Sequence, residues 1–200
     1  WLIIRPSLIY APGAYGGTAL FRALAALPGL VPLVGQGEQL FQPIYIDDLI
    51  DTFLLLLEKP NIRQQVIDPV GPEVLTLRQI LLDLRQWLGL TKAPTLAMPL
   101  AMIRIAAKMG DWFGGPINTT ALRQMNFGNT GPVTPFTAVT GIRPKSWQAV
   151  LRAHPAQAQD RWHARLYFLR PVLYYALVFL WLISGGVGLW QIETLYGPLQ

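Results

Sequence analysis

From Pro171 to Ile192 the chain carries no charged side chain. A run of about 22 residues, rising ~1.5 Å each, makes a helix of roughly 33 Å, the thickness of a bilayer's hydrocarbon layer. Soluble core helices seldom run so far without a charge, so the pattern predicts one transmembrane helix over 170–192. Aromatic residues stand where interfacial anchors belong, Tyr167, Tyr174 and Tyr175 at one end and Trp190 and Tyr196 at the other. The remaining apolar stretches, Thr52–Leu57 and Leu96–Met109, are too short or carry Arg104 and Lys108, so no second span is expected. Ser184 and Gly188 lie one helical turn apart and offer a small-residue face for helix–helix contact, although plain tolerance of glycine in membranes explains them equally well.

The flanks set an orientation. The six basic residues Arg143, Lys145, Arg152, Arg161, Arg165 and Arg170 are opposed there by only Asp160 and Glu193. A basic connector over 151–169 ahead of the span places the globular part in the cytoplasm and Gln200 outside, with the lipid bilayer as a partner. The net charge of +5 is concentrated there. No folded module threads basic and aromatic residues together, so no nucleic-acid partner is expected. The absence of cysteine excludes a disulfide framework, a thiolate metal site and a cysteine nucleophile.

Residues 1–150 have the Pro, Gly and Asp punctuation of a globular domain. Trp1–Ile4 reads as a strand buried on both faces and stopped by Pro6, so the chain is expected to begin mid-fold. Thr18–Leu27 reads as a helix halted by Pro28-Gly29. Val31–Val34, the turn Gly35-Gln36-Gly37 and Phe41–Ile46 are short extended pieces. Asp47 and Asp48 are expected to cap a buried, leucine-rich helix over Leu49–Glu58. After an extended piece at Gln65–Ile67, Thr76-Leu-Arg-Gln79 forms a capping box for a helix to Leu88. Helices over Pro99–Phe113 and Asn118–Phe127 follow. Strands alternating with helices, then helices alone, predict an α/β fold: the C-terminal half of a Rossmann-like doubly wound sheet with a helical substrate lobe.

A self-sufficient active site is not apparent. Gly35-Gln36-Gly37 lacks the third glycine of a dinucleotide fingerprint, where Leu40 stands, and no tyrosine has a lysine four residues on. There is no Gly-x-Ser-x-Gly, no His-Glu-x-x-His, no P-loop and no metal-ligand spacing. His154 and His163 fall in the basic connector and read as solvated or interfacial.

Two segments carry a more specific signal. Arg5-Pro6-Ser7-Leu8-Ile9-Tyr10-Ala11-Pro12-Gly13, followed by Gly35-Gln36-Gly37-Glu38-Gln39-Leu40-Phe41-Gln42-Pro43-Ile44-Tyr45-Ile46-Asp47-Asp48-Leu49, resembles extended and atypical short-chain dehydrogenases/reductases, the epimerase/dehydratase relatives. Gly71-Pro-Glu-Val-Leu-Thr76 extends the resemblance over most of 1–150. It implies a Tyr-x-x-x-Lys catalytic pair and a dinucleotide-phosphate turn upstream of Trp1, with no catalytic residue in this chain. It also implies NAD or NADP as cofactor, contacted by the backbone at Pro6, Ser7 and Leu8. Ser7 or Tyr10 would face the substrate, with Thr18, Phe21, Arg22 and Gln42 in the lobe above it. Ala11 replaces the family's usual glycine, which implies a different local backbone. Arg161 to Pro171 with Leu180 to Gly185 is similar to bacterial dehydrogenase-like proteins that carry a DoxX-like membrane domain, of which 170–192 would be the first helix.

The expected whole is therefore a fragment of a membrane-anchored NAD(P)-dependent oxidoreductase or epimerase, inactive by itself and acting on an unknown small molecule. The alternative is a non-catalytic NAD(P)-binding scaffold, or a regulatory subunit attached to a membrane helix bundle.

Overall fold

The computed structural model describes residues 1–13, 16–59, 62–113, 117–127 and 129–196. The first strand, β1 (Leu2–Ile4), leads through Pro6 to β2 (Ile9–Tyr10) and helix α1 (Gly16–Ala25). Next come β3 (Val31–Val34), β4 (Leu40–Phe41), β5 (Ile44–Tyr45), helix α2 (Ile46–Glu58), β6 (Gln65–Ile67) and β7 (Leu75–Thr76). Helix α3 (Leu77–Trp87), strand β8 (Thr95–Met98) and helices α4 (Leu100–Phe113), α5 (Thr119–Phe127) and α6 (Val133–Thr140) follow. The chain ends in α7 (Trp147–Ala153), α8 (Ala158–Leu166) and α9 (Leu169–Tyr196).

The class is α/β, as the alternation of patterns predicts. The strands associate in pairs: β1 with β6, β2 with β5 and β3 with β8 run parallel, and β4 with β7 antiparallel. Parallel pairing demands long crossovers, and helices supply most of them. β1 has β6 on one side and no described strand on the other. One face of this pair shows Ile3 and Val66 to solvent, each more than two-fifths exposed.

Apolar periodicity explains the core. Phe21 and Ala25 of α1 meet Ile80, Leu81 and Leu84 of α3 around Val31 and Leu33. A second cluster joins Ile44, Leu56, Ile67 and Phe136, with Leu2 and Ile4 packed against it. α3 has the expected start: Thr76 accepts from the Gln79 amide while Gln79 reaches back to the Thr76 amide. Gly35 and Gly37 take positive φ in the turn after β3, as that spacing predicts.

Two expectations for α2 need correction. Its N-cap is Tyr45, and neither Asp47 nor Asp48 caps it. Asp48 is buried and accepts from the Lys145 amide at 2.8 Å, with the Lys145 ammonium 3.3 Å away, so it ties the α6–α7 link to α2. Nor is the helix wholly buried: Ile50, Phe53, Leu54 and Leu57 form an exposed stripe opposite Leu49, Thr52 and Leu56. The leucine-rich composition conceals this two-sidedness because the outward residues are apolar too. The pieces β8, α6 and α7 lie in segments where no element was expected.

α7 is fastened to α3 through Asp83, which accepts from the Trp147 indole at 3.0 Å and the Gln148 amide at 2.8 Å. Burial raises the Asp83 pKa, and the two hydrogen bonds only partly offset it. Because the folded value lies above the unfolded one, the charged form is penalised in the fold. Stability is therefore expected to fall as pH rises from the ordinary carboxylate range through the folded pKa. Asp83→Asn keeps the acceptor and should flatten that fall. Denaturant midpoints of the two proteins across this range test it, and parallel pH dependences would contradict it.

Residues 151–169 are largely helical. α8 packs on α1 through Ala164 beside Ala26 and Leu88. α9 leaves this body: its stretch Leu169–Gln191 has the length and apolarity to cross a membrane, and none of it is buried. Gly185, Gly186 and Gly188 have open space around them.

Candidate active-site cleft

β2 ends at Tyr10, the chain turns through Ala11, Pro12 and Gly13, and α1 begins at Gly16 with φ +50°. A cleft of about 790 Å³ opens beside this strand–loop–helix unit. Its wall runs from Pro6 to Ala11, continues through Gly13 and Gly16–Thr18, and is completed by Ile46 and Asn129. Pro6, Ser7, Leu8, Tyr10 and Thr18 thus come together along β2, Pro6 to Leu8 following the carboxyl end of β1 and the Ala11–Gly13 turn following that of β2, the strand ends at which open α/β folds receive ligands.

The backbone here is arranged by its partners. The Ser7 amide donates to the Pro69 carbonyl at 3.1 Å, and the Leu8 carbonyl accepts from the Ile44 amide at 2.9 Å. These bonds leave the Pro6 carbonyl and the Leu8 amide without a backbone partner among the described residues. One acceptor and one donor therefore flank Ser7, a pair matched to a primary carboxamide. The Ser7 hydroxyl donates to the Gln42 carbonyl, so it serves the fold first. Ala11 does not adopt positive φ, so alanine is accommodated without the backbone a glycine would permit.

Tyr10 is 4% exposed, its ring wedged against Trp147 at 4.6 Å and Tyr45 at 5.5 Å between centroids. Its hydroxyl is buried without a hydrogen-bond partner among the described residues. Burial, chiefly, pushes its phenol pKa up, and the charges of Asp48 and Glu73 add to this. At neutral pH Tyr10 can donate a hydrogen bond but cannot act as a phenolate base.

Phe21, Arg22 and Gln42 do not line this cleft. Phe21 packs edge-on against Phe41 at 5.6 Å. Arg22 and Phe21 border an adjacent crevice of only about 20 Å³, which Tyr10 and Thr18 also touch. Arg22 donates to the carbonyls of Ala11 at 2.7 Å and Pro12 at 2.9 Å, so it fixes the cleft's rim from behind. Gln42 is a buried crosslink, donating to the Gly71 carbonyl at 2.7 Å and accepting from the Gly131 amide at 2.8 Å.

Sequence reasoning missed several contributors. Ile46 belongs to the second resembling segment but was given no role, Asn129 carries no motif, and the crossing of distant segments brings both to the cleft. Tyr45, whose hydroxyl lies 3.2 Å from His154 Nε2, is covered by the Lys145 ammonium 5.0 Å from its ring centre. Arg85 donates to the carbonyls of Ala25, Leu27 and Thr91, closing the end of α1. A cation in the last turn of α3 was the available hint. Among the described residues no cluster suited to a metal ion occurs.

The chain matches no protein-family model, and no curated protein matches it. Solved structures do resemble it. One is UDP-glucuronic acid 4-epimerase from Bacillus cereus in complex with UDP-glucuronic acid and NAD, with TM-score 0.50, 21% identity, and coverage of 84% of this chain and 45% of that one. Another is epimerase Mth375 from Methanothermobacter thermautotrophicus, with TM-score 0.56, 11% identity, and coverage of 83% and 44%. At such identities the likeness is one of fold: the chain shares the α/β architecture of these epimerases and spans less than half the length of either.

Proposed function

We propose that this chain forms the substrate-side portion of an NAD(P)-dependent oxidoreductase or epimerase of the short-chain dehydrogenase/reductase type, tethered to a membrane by α9. The observation that carries the proposal is the convergence of Pro6, Ser7, Leu8, Tyr10 and Thr18 on one cleft. The fold shared with an epimerase solved with NAD supports it, as does the free edge of β1, onto which a parallel strand can add.

The residues present fit the nicotinamide end of such a cofactor. The Leu8 amide would donate to the carboxamide oxygen and the Pro6 carbonyl would accept from its amino group. When bound, the ring supplies a hydride donor or acceptor. Leu8 and Ile46 would exclude water from one side of it, and the buried Tyr10 would close the wall beside them. Gly16, Gly17 and Thr18 bring the first turn of α1 to the cleft wall, and the positive end of the helix dipole there favours an anionic substrate. The dinucleotide phosphates and the proton-transfer pair belong, on this reading, to a companion half of the sheet. The apolar span and the basic residues ahead of it support a cytoplasmic placement of the cleft.

Saturation-transfer NMR of the chain with NADH at millimolar concentration tests this. The nicotinamide ring protons are expected to be saturated and the adenine protons not. Gly17→Leu should abolish the effect without unfolding the protein: a Cβ there meets nothing within 4 Å, and the side chain grows from the cleft's wall. Equal saturation of adenine, or a signal indifferent to Gly17→Leu, would exclude the assignment. Micromolar affinity for the whole dinucleotide would show that no companion half is needed.

A further inference from the structure

We infer that α4 is a second membrane-contacting element, lying in the plane of an anionic lipid surface with its outer face among the headgroups. The inference rests on the reading of α9 as a membrane span and extends it to a helix with no sequence continuity to that span.

α4 has two apolar faces. Ile103, Ala107 and Gly110 form the inner one: Ala107 is fully buried, and Gly110 packs so closely that a methyl group there would overlap the Ile117 carbonyl. α4 is thus held to the protein through small residues, beside α5. Met102, Ile105, Met109 and Trp112 form the outer face, 55%, 62%, 58% and 90% exposed. At 3.6 residues per turn these four fall within about 80° of arc, a continuous stripe roughly opposite the inner one.

Charge decides which occupant fits. Arg104 and Lys108 are exposed and follow one edge of the stripe, and Arg123 is exposed on α5. The one acid of α4, Asp111, is engaged, its carboxylate accepting from the Thr119 amide at 3.0 Å. A second copy of the same helix would set cations against cations, whereas an anionic bilayer meets both the stripe and its basic border. Tryptophan at the end of the stripe suits the headgroup level. A helix of 14 residues, about 21 Å long, is too short to cross and long enough to lie flat.

The chain has no cysteine, so single labels are clean. Met109→Cys and, as control, Gln86→Cys on the exposed side of α3 are labelled with an environment-sensitive fluorophore. Both proteins are reconstituted into vesicles of phosphatidylcholine with phosphatidylglycerol, with or without headgroup-level spin-labelled lipid. The expected result is quenching at 109 several-fold greater than at 86, reduced several-fold by R104E/K108E or by phosphatidylcholine alone. A label at 109 no better quenched than at 86 overturns the inference. So does a probe that self-quenches between copies while escaping the lipid quencher, the mark of helix pairing. Recovery of the chain with vesicles after an alkaline wash reports α9 separately. A chain that is washed off refutes the anchor, and the same labels with added vesicles then still decide α4.

Discussion

Gly71→Ala is expected to destabilise the protein by about 3 kcal/mol or more, enough to leave much of it unfolded. A Cβ at this position would overlap the Pro43 carbonyl oxygen and stand 2.8 Å from its carbonyl carbon. Both are backbone atoms between β4 and β5, so no rotamer change relieves the clash. The segment cannot easily move either. The Gly71 amide donates to the Gln42 carbonyl at 3.3 Å, the Gln42 side chain returns a bond to the Gly71 carbonyl, and the same side chain holds the Gly131 amide. Ser7 joins through its hydroxyl, so displacement at residue 71 is felt at the wall of the cleft. Gly141→Ala is the control: its φ of +74° is strained for alanine, yet nothing lies within 4 Å, and about 1 kcal/mol is expected. Denaturant midpoints compare the two. Equal losses would mean that the 42–43 segment yields, and that the four-way junction is softer than its bonding implies.

That junction shows where sequence reasoning stops. The resemblance around Gly71 marked the segment, but nothing in one sequence says which carbonyl a glycine is pressed against, because Pro43 is remote along the chain. Local signals were read well where the cause is local. The Thr76–Gln79 box and the Gly35–Gly37 turn depend on neighbours within four residues, and both form as expected. Asp48 failed as a cap because Lys145, a distant residue, competes for its carboxylate. Of the residues assigned to the cleft from the motif, those on the strand and loop reach it together, since consecutive extended residues share one wall. Phe21, Arg22 and Gln42 were chosen for polarity or aromaticity near that motif. Helical rotation turns the first two into the crevice behind, and Gln42 has both ends of its amide consumed by backbone. The exposed stripes on α2 and α4 were missed for another reason: their outward residues are as apolar as the inward ones, so composition does not mark which face meets the rest of the protein.

Arg22→Met is expected to cost about 3 kcal/mol and to loosen the cleft's rim at a distance from any ligand. Arg22 is 4% exposed, and its guanidinium lies 4.7 Å from the centre of the Trp87 ring and sends two nitrogens to the carbonyls of Ala11 and Pro12. Methionine fills a similar volume but leaves two carbonyls short of a donor, the costlier half of a lost hydrogen bond. The 3.5 Å approach of Arg22 to Asp160 on α8 is weaker, and Asp160→Asn should cost below about 1 kcal/mol. Arg22→Lys should fall between: it keeps a cation over Trp87 but not the planar fork that serves both carbonyls. Amide exchange separates the roles. Arg22→Met should speed exchange at Ala11 and Gly13, and Asp160→Asn should speed it chiefly in 158–166. If instead both substitutions loosen both segments equally, Arg22 transmits between α8 and the cleft. The helix leading into α9 would then bear on the residues proposed to meet the nicotinamide, through a side chain that touches neither membrane nor ligand.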